Sequence, residues 1–351
     1  MKIKLEYIWL DGNTPQQIRS KTKICQYIPN GSKTLMLPSR PPVLRPQDCP
    51  EWSFDGSSTN QAKGHDSDCF LKPVFTCLDP LRADSLLVLC EVLNADRTPH
   101  LTNTRHLLIP KVEETRDQEP WFGIEQEYFL FKDGKPLGFP KGDKTYPAPQ
   151  GPYYCGVGGD RAFGRVICEA HVEACIQAGL EICGTNAEVA PGQWEFQLGI
   201  LDPVNIGDQL WIARYLLNRI AEDHDTIVIL DPKPLGKNVD FNGSGGHTNF
   251  STKATRAEGG MQTIEEICNK LADRHSLHMA GYGEGNRERM TGIHETCGYD
   301  QFKFGNSDRG CSIRIPLATR SEGKGYFEDR RPAANLDPYT VCRLLLEAIG
   351  V

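Results

Sequence analysis

Several patterns that mark common classes of protein are missing from this chain. Its thirteen cysteines never form Cys-x-x-Cys, which disfavours a zinc ribbon or a thioredoxin-type site, and the odd count is typical of scattered reduced thiols. No apolar run approaches membrane-spanning length. Residues 1–6 alternate like a strand and contain no apolar signal-peptide core. We therefore expect a cytoplasmic protein without a membrane partner.

A positive net charge is missing as well. The formal net charge is −7, which argues against nonspecific binding to nucleic acid. An anionic ligand would therefore need local arginines or bound cations to reverse the field of the whole chain. The composition is ordinary for a globular protein, with 39% apolar and 24% charged residues. A length of 351 residues is enough for about two domains with sizeable cores.

The first hundred residues have the pattern of a small β-rich domain. Apolar side chains alternate along residues 3–9, which predicts a strand with one apolar face. Residues 86–93 form a continuous apolar run, which predicts a strand buried on both faces. The proline-rich stretch 38–50 predicts a loop, and residues 52–59 predict a second loop around a plain Asp-Gly turn.

The second part of the chain alternates helices with strands. The strand pattern gives way to a polar stretch at residues 98–111, and we place the boundary there, between domains 1–104 and 105–351. Gly179 is expected to end the first long helix and Asp208 to cap the second. The predicted helices are residues 161–180, 207–223, 264–277 and a last one that starts at Asp337-Pro338.

Two glutamates stand on one face of a predicted strand at residues 123–131. Alternate residues of a strand share a face, so Glu125 and Glu127 are neighbours there, and Asp133-Gly134 follows as a turn. Neighbouring like charges are unfavourable unless a cation lies over them. From this stretch alone, a solvated edge strand and a divalent-metal site both remain open.

A second acidic pair lies in residues 186–196, where two extended arms flank Pro191-Gly192. If those two residues form the whole loop, Glu188 faces Glu195 directly. Pro-Gly favours a type II turn, which splays strands, so a wider loop is the alternative. With the first pair, four carboxylates make a hard, oxygen-rich site that suits Mg²⁺ or Mn²⁺ better than zinc.

Basic and hydrogen-bonding residues follow in the last third. A glycine-rich stretch, residues 242–251, is expected to place His247, Asn249 and Ser251 on one strand face. The polar stretch 291–296 has the composition of a mobile flap. Several arginines accompany it, and carboxylates that bind metal together with arginines in one domain describe phosphoryl transfer. These arginines are Arg287, Arg289, Arg309, Arg314 and Arg330.

In one order along nearly the whole chain, these motifs resemble the glutamine synthetase family, in particular its shorter type II form. The resemblance implies an α+β fold, with an N-terminal β-grasp domain and a catalytic α/β domain built on a curved antiparallel sheet. It also implies ATP-dependent ligation of L-glutamate and ammonia through γ-glutamyl phosphate. The matching segments are residues 52–58, 123–128, 186–196, 242–251, 291–296, 308–316 and 324–332.

The resemblance also implies two sites for Mg²⁺ or Mn²⁺ in addition to ATP as a substrate. The implied ligands of one ion are Glu127, Glu188 and Glu195. The implied ligands of the second ion, beside the phosphates, are Glu125, His247 and Glu328.

Further roles are implied residue by residue. Catalytic roles fall on Asp55, Glu295 and Arg309: deprotonation of ammonium, cover of the acyl phosphate and stabilisation of the transferred phosphoryl group. The implied contacts with glutamate and ammonium are Asp55, Ser58, Asn242, Gly243, Arg289, Glu295 and Arg330. The implied contacts with ATP are Glu195, Asn249, Ser251, Arg309, Arg314 and Tyr326.

The implied assembly is a homo-oligomer of stacked rings, with a decamer favoured and with Asp55 presented to the site of a neighbouring subunit. Two other readings remain. One keeps the mechanism but uses another amine, as in γ-glutamyl-polyamine ligases. Asp55 and Glu295 favour ammonia, because a bulky amine needs no anionic ammonium pocket. The other is a catalytically silent, crystallin-like relative, which should have lost metal ligands.

Overall fold

The first sheet is built from the β-rich part of the chain. The computed structural model describes residues 2–26, 43–139, 152–236, 239 and 241–350, so part of the loop predicted at 38–50 lies outside the described residues. The sheet has the order β2-β1-β5-β4-β3, in which β1 and β5 are parallel and the other pairs antiparallel. Its strands are β1 Lys2–Leu10, β2 Ile18–Gln26, β3 Trp52–Asp55, β4 Asp68–Leu78 and β5 Ser85–Leu93.

Two strand predictions for this sheet are confirmed, and one loop prediction is wrong. The apolar face of β1 is buried, and every residue of β5 is buried. The stretch predicted as a loop at 52–59 instead forms strand β3, which pairs with β4, followed by a 3-10 turn at Gly56–Thr59. The short polar residues of this stretch indicated a loop. They are also compatible with an edge strand, because such a strand needs only one apolar face.

The second sheet is larger and carries the acidic motifs. Its main path is β12-β13-β14-β11-β6-β9-β8, with β7 and β10 also paired to β6, and the β12–β13 pair alone is parallel within the described residues. Its strands are β6 Trp121–Lys132, β7 Lys135–Pro136, β8 Ile182–Ala187, β9 Gln193–Leu201, β10 Ile227–Ile229, β11 Gly246–Ser251, β12 Phe304–Asn306, β13 Ile313–Ile315 and β14 Phe327–Asp329.

Helices cover the second sheet and its edges. The longest, α3, buries most of its length in the main hydrophobic core together with α2 and α9. No helix in the described part of the chain is both long and apolar enough to cross a membrane. The helices are α1 Thr104–Glu114, α2 Arg165–Ala178, α3 Pro203–Glu222, α4 Lys253–Arg256, α5 Gly260–Asp273, α6 His275–Gly281, α7 Asn286–Arg289, α8 Leu317–Glu322 and α9 Pro338–Ile349.

Helix ends agree with the prediction at some positions and correct it at others. Gly179 ends α2 in the left-handed conformation, and Asp337 caps α9, as predicted. The cap of α3 is Asp202 and not Asp208, since the Asp202 side chain accepts the first free N–H groups of the helix. The helix predicted at 264–277 is two helices, α5 and α6, with a break at Arg274.

Asp208 has a different role, because it lies where the two parts of the chain meet. It is buried and accepts hydrogen bonds from Arg105 at the start of α1 (2.8 Å) and from the Tyr339 hydroxyl of α9 (2.6 Å). Arg105 also pairs with Glu91 of β5 at 2.9 Å. A buried carboxylate is stable only when it is paired in this way, so this network fixes the first sheet against the helices of the second.

Candidate active site

Strand β6 lies inside the second sheet and organises the site. It pairs with β11 on one side and with β9 on the other, which brings Glu125 opposite His247 and Glu127 opposite Glu195. The reading of residues 123–131 as a solvated edge is therefore excluded. The two glutamates share one face, as the alternation predicted, but each one meets a different neighbouring strand.

The first group of side chains, here called the histidine cluster, consists of Glu125, His247 and Glu328. Nδ1 of His247 lies 3.6 Å from a Glu125 carboxylate oxygen and 3.4 Å from one of Glu328. Two arginines balance the charge: Arg314 donates to Glu328 at 2.7 Å and Arg330 at 2.6 Å. The three ligand atoms lie within 4.8 Å of one another, a spacing that can hold one metal ion.

The second group, here called the glutamate cluster, consists of Glu127, Glu188 and Glu195. All three are buried, and one oxygen of each lies within 4.8 Å of the others. Their hydrogen-bond donors are neutral: the Gly245 N–H to Glu127 (2.8 Å), the Asn186 amide to Glu188 (3.1 Å) and the Gln197 amide to Glu195 (2.7 Å). In contrast to the histidine cluster, no described cation forms an ion pair with these carboxylates.

The hairpin that carries two of these glutamates has another register than the direct pairing predicted. The N–H of Glu188 donates to the C=O of Gln193 (2.9 Å), and Asn186 lies opposite Glu195. The loop therefore spans residues 189–192, the wider alternative. A shift of two residues preserves the face of every side chain, so Glu188 and Glu195 still point into the same cluster.

The electrostatics of the two clusters differ accordingly. Burial and the neighbouring carboxylates raise the pKa of Glu127, Glu188 and Glu195. Burial lowers the pKa of His247, with a further contribution from Arg330, so the imidazole is held neutral. Hard carboxylate oxygens and one neutral imidazole suit Mg²⁺ or Mn²⁺, so the residues present fit such ions.

Two glycines make room for the loop before β11. Gly243 has a φ of +85°, and an added Cβ would lie 2.3 Å from the C=O of Pro232. An added Cβ at Gly245 would lie 2.7 Å from the His247 ring and 3.0 Å from the Arg289 guanidinium. Both positions therefore require glycine, and this close approach lets the N–H of Gly245 reach Glu127.

Strand β14 and the residues after it carry two acid–arginine pairs on opposite faces. Glu328 and Arg330 pair at 2.6 Å on the face of the clusters. Asp329 and Arg331 pair at 2.7 Å on the other face, where both are fully buried. The Tyr282 hydroxyl also donates to Asp329 at 2.9 Å. The second pair thus anchors the segment that holds the first.

Two family models together match most of this chain. The model of the glutamine synthetase β-grasp domain matches residues 3–95, and that of the glutamine synthetase catalytic domain matches residues 102–282. A glutamine synthetase of Streptomyces viridochromogenes is 54% identical, over 99% of this chain and 96% of that protein. The chain belongs to the glutamine synthetase family.

Two further relatives of this glutamine synthetase family member come from eukaryotes. A glutamine synthetase of Tuber borchii is 50% identical, over 99% of this chain and 92% of that protein. A glutamine synthetase of Mus musculus is 48% identical, over 98% of this chain and 89% of that protein. The fold expected from the resemblance, a β-grasp domain followed by a catalytic domain with helices and a curled sheet, is confirmed.

Three of the six residues predicted to contact ATP line one cavity of about 300 Å³ beside the histidine cluster: Asn249, Ser251 and Tyr326. Glu125 lines it as well. Sequence reasoning missed its aromatic wall, Trp121, over which the Arg256 guanidinium stacks at 3.6 Å. Arg314 lies on the adjoining strand β13 and Glu195 in the glutamate cluster.

Arg289 and Arg330 both lie beside the clusters of this family member. Arg289 is buried and donates to the C=O groups of Arg330 (3.0 Å), Arg331 (2.9 Å) and Pro332 (3.1 Å). Arg330 also donates to the C=O of Glu295, at 3.2 Å, which links the predicted flap to the site. The C=O of Gly243 accepts from the Gln193 amide at 2.8 Å, and Asn242 precedes it in the same loop.

Three other predicted residues, Asp55, Ser58 and Arg309, lie in two stretches apart from the clusters. The Asp55 carboxylate accepts from the hydroxyls of Ser57 (2.7 Å) and Ser58 (2.9 Å), which lower the pKa of Asp55 to about 2. Arg309 is exposed in the turn before β13. Within the described residues, no hydrogen bond or ion pair joins Asp55, Ser58 or Arg309 to either cluster.

Sequence reasoning also missed a buried glutamine at the glutamate cluster. Gln193 donates to the Gly243 C=O at 2.8 Å and lies 3.4 Å from a Glu127 oxygen, so it joins the cluster to the glycine loop. Its position two residues before Glu195 on the same strand face is a signal that could have found it.

Proposed function

We propose that this chain joins L-glutamate and ammonia to form L-glutamine at the expense of ATP. The observation that carries the proposal is the placement of two adjacent clusters that could each hold a metal ion, each with one glutamate of β6 and one of them flanked by arginines and a cavity of about 300 Å³. Full-length similarity to proteins named glutamine synthetase supports it. All six predicted ligand positions are filled, whereas a silent structural relative should have lost some of them.

The chemistry requires a poor acylating agent, the γ-carboxylate of glutamate, to be activated. One of its oxygens attacks the γ-phosphorus of ATP and ADP leaves, which gives γ-glutamyl phosphate. The nitrogen of ammonia then attacks the acyl carbon, phosphate leaves, and the excess proton passes to a carboxylate. Divalent ions at the two clusters supply charge neutralisation for the carboxylates and the phosphate oxygens.

The chain's own residues hold the reactants in this scheme. Arg289 and Arg330 bind the glutamate carboxylates, helped by the loop of Asn242 and Gly243. Glu295 covers the acyl phosphate and excludes water. Arg309 stabilises the charge that develops on the transferred phosphoryl group. Asp55, with Ser58 beside it, serves the site of a neighbouring subunit, where it attracts ammonium and accepts its proton.

The proposal extends to the ions, the assembly and the domains. The ions are Mg²⁺ or Mn²⁺, one for each cluster, because the donors are hard oxygens with a single imidazole. The chain forms stacked rings, a decamer in the simplest case, as the family resemblance implies, with the Asp55 loop presented to a neighbouring site. Among the described residues, no hydrogen bond or ion pair joins that loop to either cluster of its own chain. We place the boundary between the domains at residues 104/105, and the protein in the cytoplasm.

One assay tests the function. Purified protein should release phosphate only when ATP, L-glutamate, ammonium and Mg²⁺ are all present, with L-glutamine formed in equal amount. Putrescine should replace ammonium poorly, because Asp55 and Glu295 suit a small cation. A strong preference for putrescine would contradict the choice of ammonia, and phosphate release without glutamate would contradict the ligase reaction.

A further inference from the structure

Arg214, in the middle of α3, is a buried cation with no role in the scheme above. It is 1% exposed, and within the described residues no carboxylate forms an ion pair with it. Burial lowers the pKa of Arg214 to about 9. A buried charge is costly unless every donor finds a partner, so its surroundings must compensate for that cost.

Neutral oxygens on the side of β6 away from the clusters compensate for this cost. Nε and Nη2 of Arg214 donate to Oε1 of Gln126 at 2.9 and 2.6 Å. Nη2 also donates to the C=O of Ala334 (3.0 Å), and Nη1 donates to that of Leu336 (2.9 Å). The planar guanidinium therefore grips a side chain of β6 and the segment 334–336 at the same time.

Gln126 connects this guanidinium to the glutamate cluster through hydrogen bonds. It lies between Glu125 and Glu127 in the sequence but on the opposite face of β6. Its amide donates to the C=O of Glu127 (2.7 Å) and to that of Ala334 (2.9 Å). The N–H of Ala334 in turn donates to the C=O of Ser244 (3.1 Å), in the loop that presents Gly245 to Glu127.

We propose that Arg214, acting through Gln126, is a positioning residue for the metal centre. It holds the backbone of Glu127 and the loop at Ser244–Gly245 in the arrangement that the ion requires. The role is geometric, because a cation beneath a metal site repels the metal ion and cannot attract it. The inference rests on the proposed function only in assuming that the clusters bind a divalent ion.

The test measures Mn²⁺ binding directly, from the electron paramagnetic resonance of free Mn²⁺, in the purified protein without nucleotide. Arg214→Lys keeps the charge and Arg214→Met removes it, but both lose the planar fork. We expect both variants to weaken binding about tenfold, as is usual for the loss of a group that orients metal ligands. Arg219→Met is the matched control, because Arg219 is a partly exposed arginine of the same helix that pairs with Glu222. It should bind Mn²⁺ like the wild type.

Gln126→Glu provides a second variant in case both Arg214 variants fail to fold. A glutamate still accepts from Arg214, now as an ion pair, but it cannot donate to the C=O groups of Glu127 and Ala334. The added negative charge should tighten Mn²⁺ binding, so a weakening can only come from lost geometry. Weaker binding in Gln126→Glu, at an unchanged melting temperature in EDTA, is the expected result.

Four outcomes decide the matter. Folded Arg214→Lys and Arg214→Met with unchanged Mn²⁺ affinity would overturn the inference, and so would wild-type affinity in Gln126→Glu. If Arg214→Lys binds Mn²⁺ like the wild type and Arg214→Met has a changed Mn²⁺ affinity, then the charge of the side chain matters and its planar geometry does not. This result would also overturn the inference. If the wild-type protein binds no Mn²⁺, the proposed function itself fails, a result that differs from each of the others.

Discussion

The two clusters lie side by side, each with one glutamate of β6, but their charges are balanced in different ways. In the histidine cluster, Glu328 is paired with both Arg314 and Arg330, and the third ligand is a neutral imidazole. In the glutamate cluster, the hydrogen-bond donors to the three buried carboxylates are neutral among the described residues, and the pKa values of these carboxylates are raised. The first cluster is nearly balanced without a metal ion, whereas the second needs protons or a bound cation, since Arg289 and Arg330 offset its charge only in part.

This difference predicts which ion binds more tightly. A buried cluster of like charges is unfavourable unless protons or a cation neutralise it, so an ion at the glutamate cluster should bind the more tightly of the two. An ion at the histidine cluster would compete with two arginines for Glu328 and would face the cavity of about 300 Å³. We expect it to bind more weakly and to enter together with ATP. Three experiments can break or sharpen this comparison.

The largest effect is expected for Glu127→Ala. Metal-dependent phosphate release with ATP, glutamate and ammonium should fall to background, because the glutamate cluster loses a ligand that no neighbour can replace. The fold should remain intact, as judged by circular dichroism. Glu181→Ala, at an exposed glutamate just before β8, is the control and should keep wild-type activity. Substantial activity in Glu127→Ala would refute the metal assignment.

A smaller effect is expected on the free energy of unfolding in EDTA. Its sign should differ between the two clusters. At a pH above the raised pKa values of the cluster, Glu127→Gln should stabilise the metal-free protein by about 1 kcal/mol, since it removes one of three repelling charges and can still accept from Gly245. Glu328→Gln should destabilise it by about 3 kcal/mol, since two arginines lose their carboxylate partner. Chemical denaturation measures both values. Shifts of the same sign would mean that the clusters do not differ in charge balance.

The smallest effect is expected in the pH dependence of stability. Burial raises the pKa of the glutamate-cluster side chains, so the folded protein binds protons there more tightly than the unfolded chain does. Their contribution to stability is therefore full at low pH and is lost as the pH rises above about 5 towards the raised values. In EDTA the melting temperature should fall over this range more steeply in the wild type than in Glu127→Gln.

Saturating Mn²⁺ should reverse that trend, because a metal ion competes with protons for the same oxygens and binds better as the pH rises. A melting temperature that is independent of pH in EDTA, in both the wild type and Glu127→Gln, would show that the pKa values of these carboxylates are not raised in the folded protein.

Much of the fold and of the site could be predicted from local patterns. The alternation in residues 123–131 placed Glu125 and Glu127 on one face, and Asp337-Pro338 marked the start of α9. Such signals are local, since one residue and its near neighbours decide them. Family resemblance then grouped the distant ligands into two sets of three, and the described residues form those same two sets.

What could not be predicted depends on contacts between distant parts of the chain. Asp208 looked like a helix cap, but its partners Arg105 and Tyr339 are more than a hundred residues away in the sequence. The sequence left two widths open for the loop after Glu188, and the hydrogen bond from the Glu188 N–H to the Gln193 C=O decides between them. Arg214 and Gln126 carry no sequence signal of their own, because neither the lone charge nor the lone amide forms a motif.

The alternating acid–arginine pairs at β14 bear on the register of the strand. Glu328-Asp329-Arg330-Arg331 reads acid, acid, base, base, so a slip by one residue would again place an acid and an arginine on the face of the clusters. Charge alone therefore does not specify the register. Phe327, fully buried, would be turned to the opposite face by such a slip. Burial of Phe327 on the far side of β14 therefore favours the register that turns Glu328 and Arg330 towards the clusters.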